Sequence, residues 1–415
     1  MIAFLFPGQG SQFVGMGKTL FDKFSIAKDV FQEANDVLNM DFTSLCLVGD
    51  LDELTKTENA QPALLTVSMA AYRVYIKEFS IAPDFLAGHS LGEFTALACS
   101  GALSFADALT IVRRRGVLMQ EAVANGLGVM TAVGEVERSV VETVCAEIST
   151  VSKPVTIGCY NAPKQLVISG HQEAVNRAEA LLEAKGASIT PLKVSASFHS
   201  PLMTSAAVQL REYLMNFTFG PMDVPVISNV TALPHENADK VIDLLTRQMT
   251  EPVRWQETME YLKGRGVKHV IEMGSKQVLK KLVVKNLPGI RAYSLGEADE
   301  LQNLKETFAI LNHVPSFIGK CLATAVATKN RNTNHDEYQR GVIEPYNRIK
   351  QMLMELEQTN KQPTEEQKLA ALDMLHSVFV TKQVPLAERE FRLQHLFRVT
   401  KTGNLMSQVG TGGRA

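Results

Sequence analysis

The stretch Phe85-Leu86-Ala87-Gly88-His89-Ser90-Leu91-Gly92-Glu93-Phe94 restricts the fold of this chain more than any other. An apolar strand-like run meets a Gly-x-Ser-x-Gly step and passes directly into a helix-forming segment. Gly88 and Gly92 leave room for a sharp strand-to-helix turn that pushes the Ser90 hydroxyl outward. The helix after the turn directs backbone N–H groups at developing negative charge. Taken alone Gly-x-Ser-x-Gly is a weak pattern, and a tight turn without chemistry is the competing reading.

Such a strand belongs to a sheet, and the rest of the chain supplies its neighbours. Apolar runs at Ile2 to Phe6, Phe85 to Ala87, Val226 to Ser228 and Lys268 to Ile271 alternate with long helical patterns. That alternation predicts an α/β core with a mostly parallel sheet and helical crossovers. One crossover helix runs from Ser104 to Glu121, with Ser104 as its cap and Asp107 as the acidic group after it. Gly126 and Gly128 then mark a change of element.

From Gly128 to Lys193 the rhythm becomes strand (Val129 to Val133), helix (Val136 to Ile148), strand (Val155 to Tyr160), strand (Gln165 to Ser169), helix (His171 to Lys185), strand (Ala187 to Val194). This β-α-β-β-α-β order is that of a split βαβ motif, a small sheet with two helices on one face. The expected domains are therefore a core of residues 1–127 and 194–295, an inserted subdomain of residues 128–193, and a mainly helical extension of residues 296–415. In the extension, Leu301 to Leu311, Tyr346 to Leu356 and Glu365 to Val380 read as helices, Lys361 to Pro363 as a stop, and Gly403 to Ala415 as a frayed terminus. The extension reads either as helices packed on the core or as a docking surface for a larger partner.

A length of 415 residues, 45% of them hydrophobic and 21% charged, suits more than one packed unit. A net charge of -2 argues against a broad electrostatic grip on nucleic acid or an anionic membrane. Cys46, Cys99, Cys145, Cys159 and Cys321 are scattered without a CxxC pair, which argues against a disulfide framework or a zinc site and favours a reducing, cytoplasmic location. With neither a signal-peptide pattern nor a long apolar run, secretion and membrane spanning are not expected.

A serine nucleophile needs a base. His199, in Ser195-Ala196-Ser197-Phe198-His199-Ser200-Pro201, follows a strand in an irregular segment, where a loop can aim an imidazole at Ser90. A hydrogen-bonded loop histidine is the alternative. His89 is next to the serine, but neighbouring side chains on an elbow diverge, so it reads as structural. No acidic residue is placed to orient His199, so a dyad held by an amide or backbone carbonyl is expected in place of an Asp triad. Arg115 has Ile111 and Val112 behind it and Leu118 and Met119 ahead at helical spacing, which puts a guanidinium on an apolar face. Its partner is a substrate carboxylate, a protein carboxylate, or solvent reached by snorkelling. The loop Pro7-Gly8-Gln9-Gly10 lets backbone approach a ligand, so a backbone N–H near Gln9 can complement that of Leu91 in an oxyanion hole.

Gly-Gln-Gly-Ser-Gln at 8–12, Gly-His-Ser-Leu-Gly-Glu at 88–93, the arginine of Arg-Arg-Arg-Gly at 113–116 and Ser-Phe-His-Ser-Pro-Leu-Met at 197–203 together resemble malonyl-CoA:acyl carrier protein transacylases, over roughly Met1 to Leu295. The segments around Asn161, Gln165 to Gly170 and Gln248 to Trp255 occur in the family's order. The resemblance implies an α/β-hydrolase-like large domain with a ferredoxin-like insert. It also implies Ser90 as nucleophile, His199 as base and acid, Arg115 as clamp for the malonyl carboxylate, and an oxyanion hole from Gln9 and Leu91. Gln248 corresponds to the residue whose carbonyl orients the histidine, and Asn161 to a supporting pocket asparagine. Leu91 and Phe198 fit malonyl-selective patterns, whereas Ala196 and Ser197 depart from the commonest form, which weakens the exclusion of methylmalonyl groups.

The same resemblance implies malonyl-CoA as substrate, no metal and no permanently bound cofactor, and an acyl carrier protein that brings its own phosphopantetheine. The extra length, and a likeness of Tyr338 to Tyr346 to segments found after such domains, point to a free-standing enzyme serving polyketide synthase modules in trans. A housekeeping transacylase of fatty-acid synthesis, an acyl-thioester hydrolase and a noncatalytic carrier-binding module are the alternatives.

Overall fold

The run Ile2–Phe6 (β1) is buried at every position, as a strand covered on both faces of a parallel sheet must be. The computed structural model describes residues 1–79, 81–122, 128–192, 196–296, 298–311, 317–359, 363–400 and 402. Gly126, Lys193 and Val194 at the end of the expected last insert strand, Ser195, Lys361 and the tail 403–415 lie outside them.

Strand β2 (Phe85–Gly88) pairs with β1 in parallel. The insert contributes β3 (Gly128–Gly134), β4 (Val155–Ala162), β5 (Gln165–His171) and β6 (Ser188–Pro191). Beyond it come β7 (Val226–Ile227), β8 (His269–Met273) and β9 (Arg291–Leu295). The core is a five-stranded sheet in the order β7-β2-β1-β8-β9, parallel at every pairing. Strand β9 is not legible in the sequence: Arg-Ala-Tyr-Ser-Leu is only half buried at an edge and carries no continuous apolar run.

The second sheet is antiparallel, in the order β4-β5-β3-β6, with helices Arg138–Ile148 and Gln172–Ala184. Val133, Ile168, Val144 and Ala178 share one buried cluster, so the helices cover one face of this sheet. The architecture is thus an α/β-hydrolase-like core with a ferredoxin-like insert and C-terminal helices. The insert is tied to the core through β4: Tyr160 N–H donates to Val253 O, and Val253 N–H donates to Gly158 O.

The chain divides into compact units at Gln302 and Asn303, inside the helix Ala298–Leu311 and a little beyond Gly296. The second unit has its own apolar core, including Ile318, Cys321, Leu375 and Phe379. It contains helices Phe317–Ala327 and Leu386–Thr400 besides those expected. Helix Glu365–Thr381 opens on a capping box made by Thr364 and Gln367. Among the described residues no helix is long and apolar enough to cross a membrane.

Candidate active site

Strand β2 runs straight into helix Leu91–Cys99, and the joint is tight enough to exclude any side chain at its two glycines. A Cβ on Gly88 would lie 1.8 Å from the Gly92 carbonyl carbon, and one on Gly92 would lie 2.0 Å from Phe6 O. Ser90, between them, sits at φ 51 and ψ -107, a strained conformation for an L-residue. Asn229 braces the joint from the segment after β7: its Oδ1 accepts from Ser90 N–H at 2.6 Å, and its Nδ2 donates to Gly88 O at 2.6 Å. Nothing in the local pattern around Asn229 singles it out, because its partners are more than a hundred residues away.

His199 also holds a left-handed backbone, at φ 56, just before the short helix Pro201–Met203. Its Nε2 lies 2.8 Å from Ser90 Oγ, and its Nδ1 lies 2.7 Å from the backbone carbonyl of Gln248. That carbonyl can only accept, so the ring proton resides on Nδ1 and the Nε2 lone pair faces the serine. Burial first, then the neighbouring Arg115 charge, lowers the His199 pKa to about 3. The resting imidazole is therefore neutral and free to take a proton.

Arg115, on helix Phe105–Glu121, is only 1% exposed. It neither snorkels nor meets a protein carboxylate: among the described residues it forms no ion pair. Its Nη1 donates to Gln61 Oε1 at 2.8 Å, and its Nη2 donates to Gln248 Oε1 at 3.0 Å and to Ser90 Oγ at 3.1 Å. The guanidinium lies 5.3 Å from the centre of the Phe94 ring, and its Nε is buried without a partner. Burial lowers its pKa to about 10, which leaves it a cation at neutral pH. The arrangement presents a desolvated positive charge, with donors to spare, directly beside the nucleophile.

Ser90, His199 and Arg115 open into one cavity of about 260 Å³, also lined by Gln9, Leu91 and Phe198. Leu91 is the first residue of its helix, so its N–H has no intrahelical acceptor. Gly8 packs so closely on the elbow that a Cβ there would lie 2.5 Å from His89 O, which brings the opening loop against the serine turn. Asn161 lines the same cavity, and its Oδ1 accepts from His89 Nε2 at 2.8 Å. The His89 ring is buried and packs near Trp255, so its bond goes to Asn161 and not to the serine hydroxyl.

Sequence reasoning did not single out Gln61, Asn229, Glu93 or His235. Gln61 is a fully buried amide in the helix Thr57–Glu78, and an amide inside so apolar a run was the available signal. Glu93 stands in the serine motif itself, is completely buried, and meets His235 Nε2 at 2.8 Å.

The model of the acyl transferase domain family matches residues 3–308. A malonyl CoA-acyl carrier protein transacylase of Bacillus subtilis is 42% identical over 94% of this chain and 98% of its own length. Its counterpart from Escherichia coli strain K12 is 42% identical over 71% of this chain and 96% of its own. Among solved structures, a chain from the complex of a type II polyketide synthase acyl-carrier protein with its malonyl-transacylase superposes with a TM-score of 0.72 at 38% identity, covering 74% of this chain and 99% of that one.

Proposed function

The chain belongs to the acyl transferase family of malonyl-CoA:acyl carrier protein transacylases, and from that premise we propose that it loads malonyl groups onto a carrier protein for polyketide assembly, acting in trans in the cytoplasm. The observation that carries this reading is one hydroxyl with two partners: Ser90 Oγ lies 2.8 Å from His199 Nε2 and 3.1 Å from Arg115 Nη2.

In the first half-reaction Ser90 Oγ attacks the thioester carbonyl of malonyl-CoA while its proton passes to His199 Nε2. Backbone N–H groups of Gln9 and Leu91 receive the tetrahedral oxyanion, and each such donor contributes roughly 3 kcal/mol to the transition state. The carbon–sulfur bond breaks, and the coenzyme A thiolate takes the proton back from His199. In the second half the phosphopantetheine thiol gives its proton to His199 and attacks the malonyl-serine ester, and the proton returns to Ser90 Oγ. Arg115 pairs with the malonyl carboxylate, exchanging its contact with Ser90 Oγ for a charged one.

Gln248 keeps the imidazole aligned through its backbone carbonyl, and Asn161 and Phe198 shape the pocket wall. A carboxylate on Arg115 offsets one cause of the depressed His199 pKa, so substrate binding itself makes the base stronger. The role in polyketide assembly is supported by the likeness to a transacylase solved with a type II polyketide synthase carrier protein. Five free cysteines support the cytoplasmic location.

Intact-mass measurement of an acyl carrier protein incubated with enzyme and malonyl-CoA tests the reading. Malonyl carrier forming faster than in the uncatalysed control is expected. Free malonate accumulating without faster carrier loading would instead make the protein a hydrolase.

A further inference from the structure

Arg115 is a cation only 1% exposed, yet among the described residues no carboxylate touches it. A buried cation at such a position needs a counter-charge, and a carboxylate in direct contact would occupy the donors that the substrate requires. The chain resolves this with an amide in between. Gln248 is fully buried, its Oε1 accepts from Arg115 Nη2 at 3.0 Å, and its Nε2 donates to Glu93 Oε2 at 2.7 Å. The Gln248 amide also donates to Ser90 O at 3.0 Å.

Glu93 is itself held on every side. Its Oε2 accepts from Asn229 N–H at 3.1 Å, and its Oε1 accepts from His235 Nε2 at 2.8 Å. His235 Nδ1 is buried with no partner, which fits the tautomer that carries its single proton on Nε2. Because Glu93 can only accept, it forces the Gln248 NH₂ toward itself and so turns Gln248 Oε1 toward Arg115. The same Gln248 offers its backbone carbonyl to His199, so one residue fixes both the base and the clamp.

We propose that Glu93 is a positioning residue: it locks the Gln248 amide and supplies the counter-charge for Arg115 from one residue away, which keeps the guanidinium ordered and charged while its remaining donors stay open to the substrate carboxylate. The inference rests on the malonyl-transfer reading. It adds a residue that touches neither substrate nor the serine hydroxyl.

The test compares full-length wild type with Glu93→Gln and Glu93→Asp, reading malonyl-serine and acetyl-serine formation by intact mass from the two coenzyme A thioesters across a pH series. Malonyl labelling of wild type comes first: its failure would reject the transfer reading, and with it the role assigned to Glu93. With wild type labelled, Glu93→Gln should lose about 10- to 100-fold in malonyl loading, the range seen when an outer partner of a site ligand is removed. Acetyl loading should fall by less, the alkaline limb of malonyl loading should move to lower pH, and Glu93→Asp should recover part of the loss. Equal losses for malonyl and acetyl groups, with an unmoved pH profile, would overturn the proposal.

Should Glu93→Gln fold poorly, the combination with Arg115→Met decides. Removing both charges should raise the melting temperature above that of Glu93→Gln alone, since the buried cation no longer lacks its counter-charge. Strictly additive losses in that cycle would overturn the counter-charge.

Discussion

The two sheets face the same cavity and equip it differently. The parallel core contributes polar and strained groups: Ser90 and His199 at positive φ, and Arg115 and Gln248 desolvated. The antiparallel insert contributes one face of its strands, with Met130 and Ala132 from β3, Cys159 and Asn161 from β4, and Gln165 and Val167 from β5. The opposite face, including Val133, Leu166 and Ile168, packs on the insert's helices. This is period-two alternation with both faces largely apolar. Reactive groups need many fixed hydrogen-bond partners, which the core supplies from the end of β2, the segment after β7 and buried amides on or after its helices. A wall that displaces water and flanks the acyl chain needs only apolar bulk.

If that division holds, damage should rank by sheet. Ser90→Ala should remove the malonyl adduct entirely and cut carrier loading by at least about 10³-fold, the scale of losing a nucleophile. Residual labelling by intact mass would place the acyl group on another residue and break the comparison at its strongest point. Arg115→Ala comes next, with malonyl loading down by about 10²-fold, the scale of losing a charged hydrogen-bonded partner. Acetyl loading should be spared, because only the malonyl group carries a free carboxylate. Equal loss of both with folding intact would remove the clamp.

A smaller effect concerns pH. Folded His199 is held at about 3 by burial, whereas in the unfolded chain it titrates near its ordinary 6.5, so the unfolded state binds the extra proton between them. Stability from this site is present above pH 6.5 and is lost as pH falls toward 3, which chemical denaturation at a series of pH values reads directly. His199→Gln should flatten that slope, and an unchanged slope would assign the acid sensitivity to other groups. The smallest effect belongs to the insert: Val167→Ala should cost about 1–2 kcal/mol of stability, the scale of a small cavity, and change KM a few-fold with kcat nearly intact. A large fall in kcat would show that the insert does more than line the wall.

Several of these residues are legible in the sequence alone. The elbow announces itself because the steric rule is local: strand, glycine, serine, glycine and helix must be consecutive. The alternation in β3 to β5 and the apolar runs of β1 and β8 are likewise local. Arg115 stands out as a charge among apolar neighbours on one helix face, which marks the residue but leaves both its burial and its partner open. In the second unit the helix Phe317–Ala327 is not legible, because its exposed positions Ala323, Val326 and Ala327 are apolar and blur its period, and it has no acidic residue in its first turn or basic residue in its last.

Local chemistry in the chain therefore determined the parallel α/β core, the split insert, the nucleophile's turn and the placing of a guanidinium on an apolar helix face. Tertiary structure alone decided which groups meet. Asn229 reaches Ser90 across 139 residues, Gln248 reaches Arg115 across 133, and Glu93 reaches His235 across 142. Hydrogen bonds depend on distances of about 3 Å, while sequence patterns report only spacing along one element. A polar residue whose partners come from other strands leaves no periodic trace, and its purpose is readable only once the fold has closed around it.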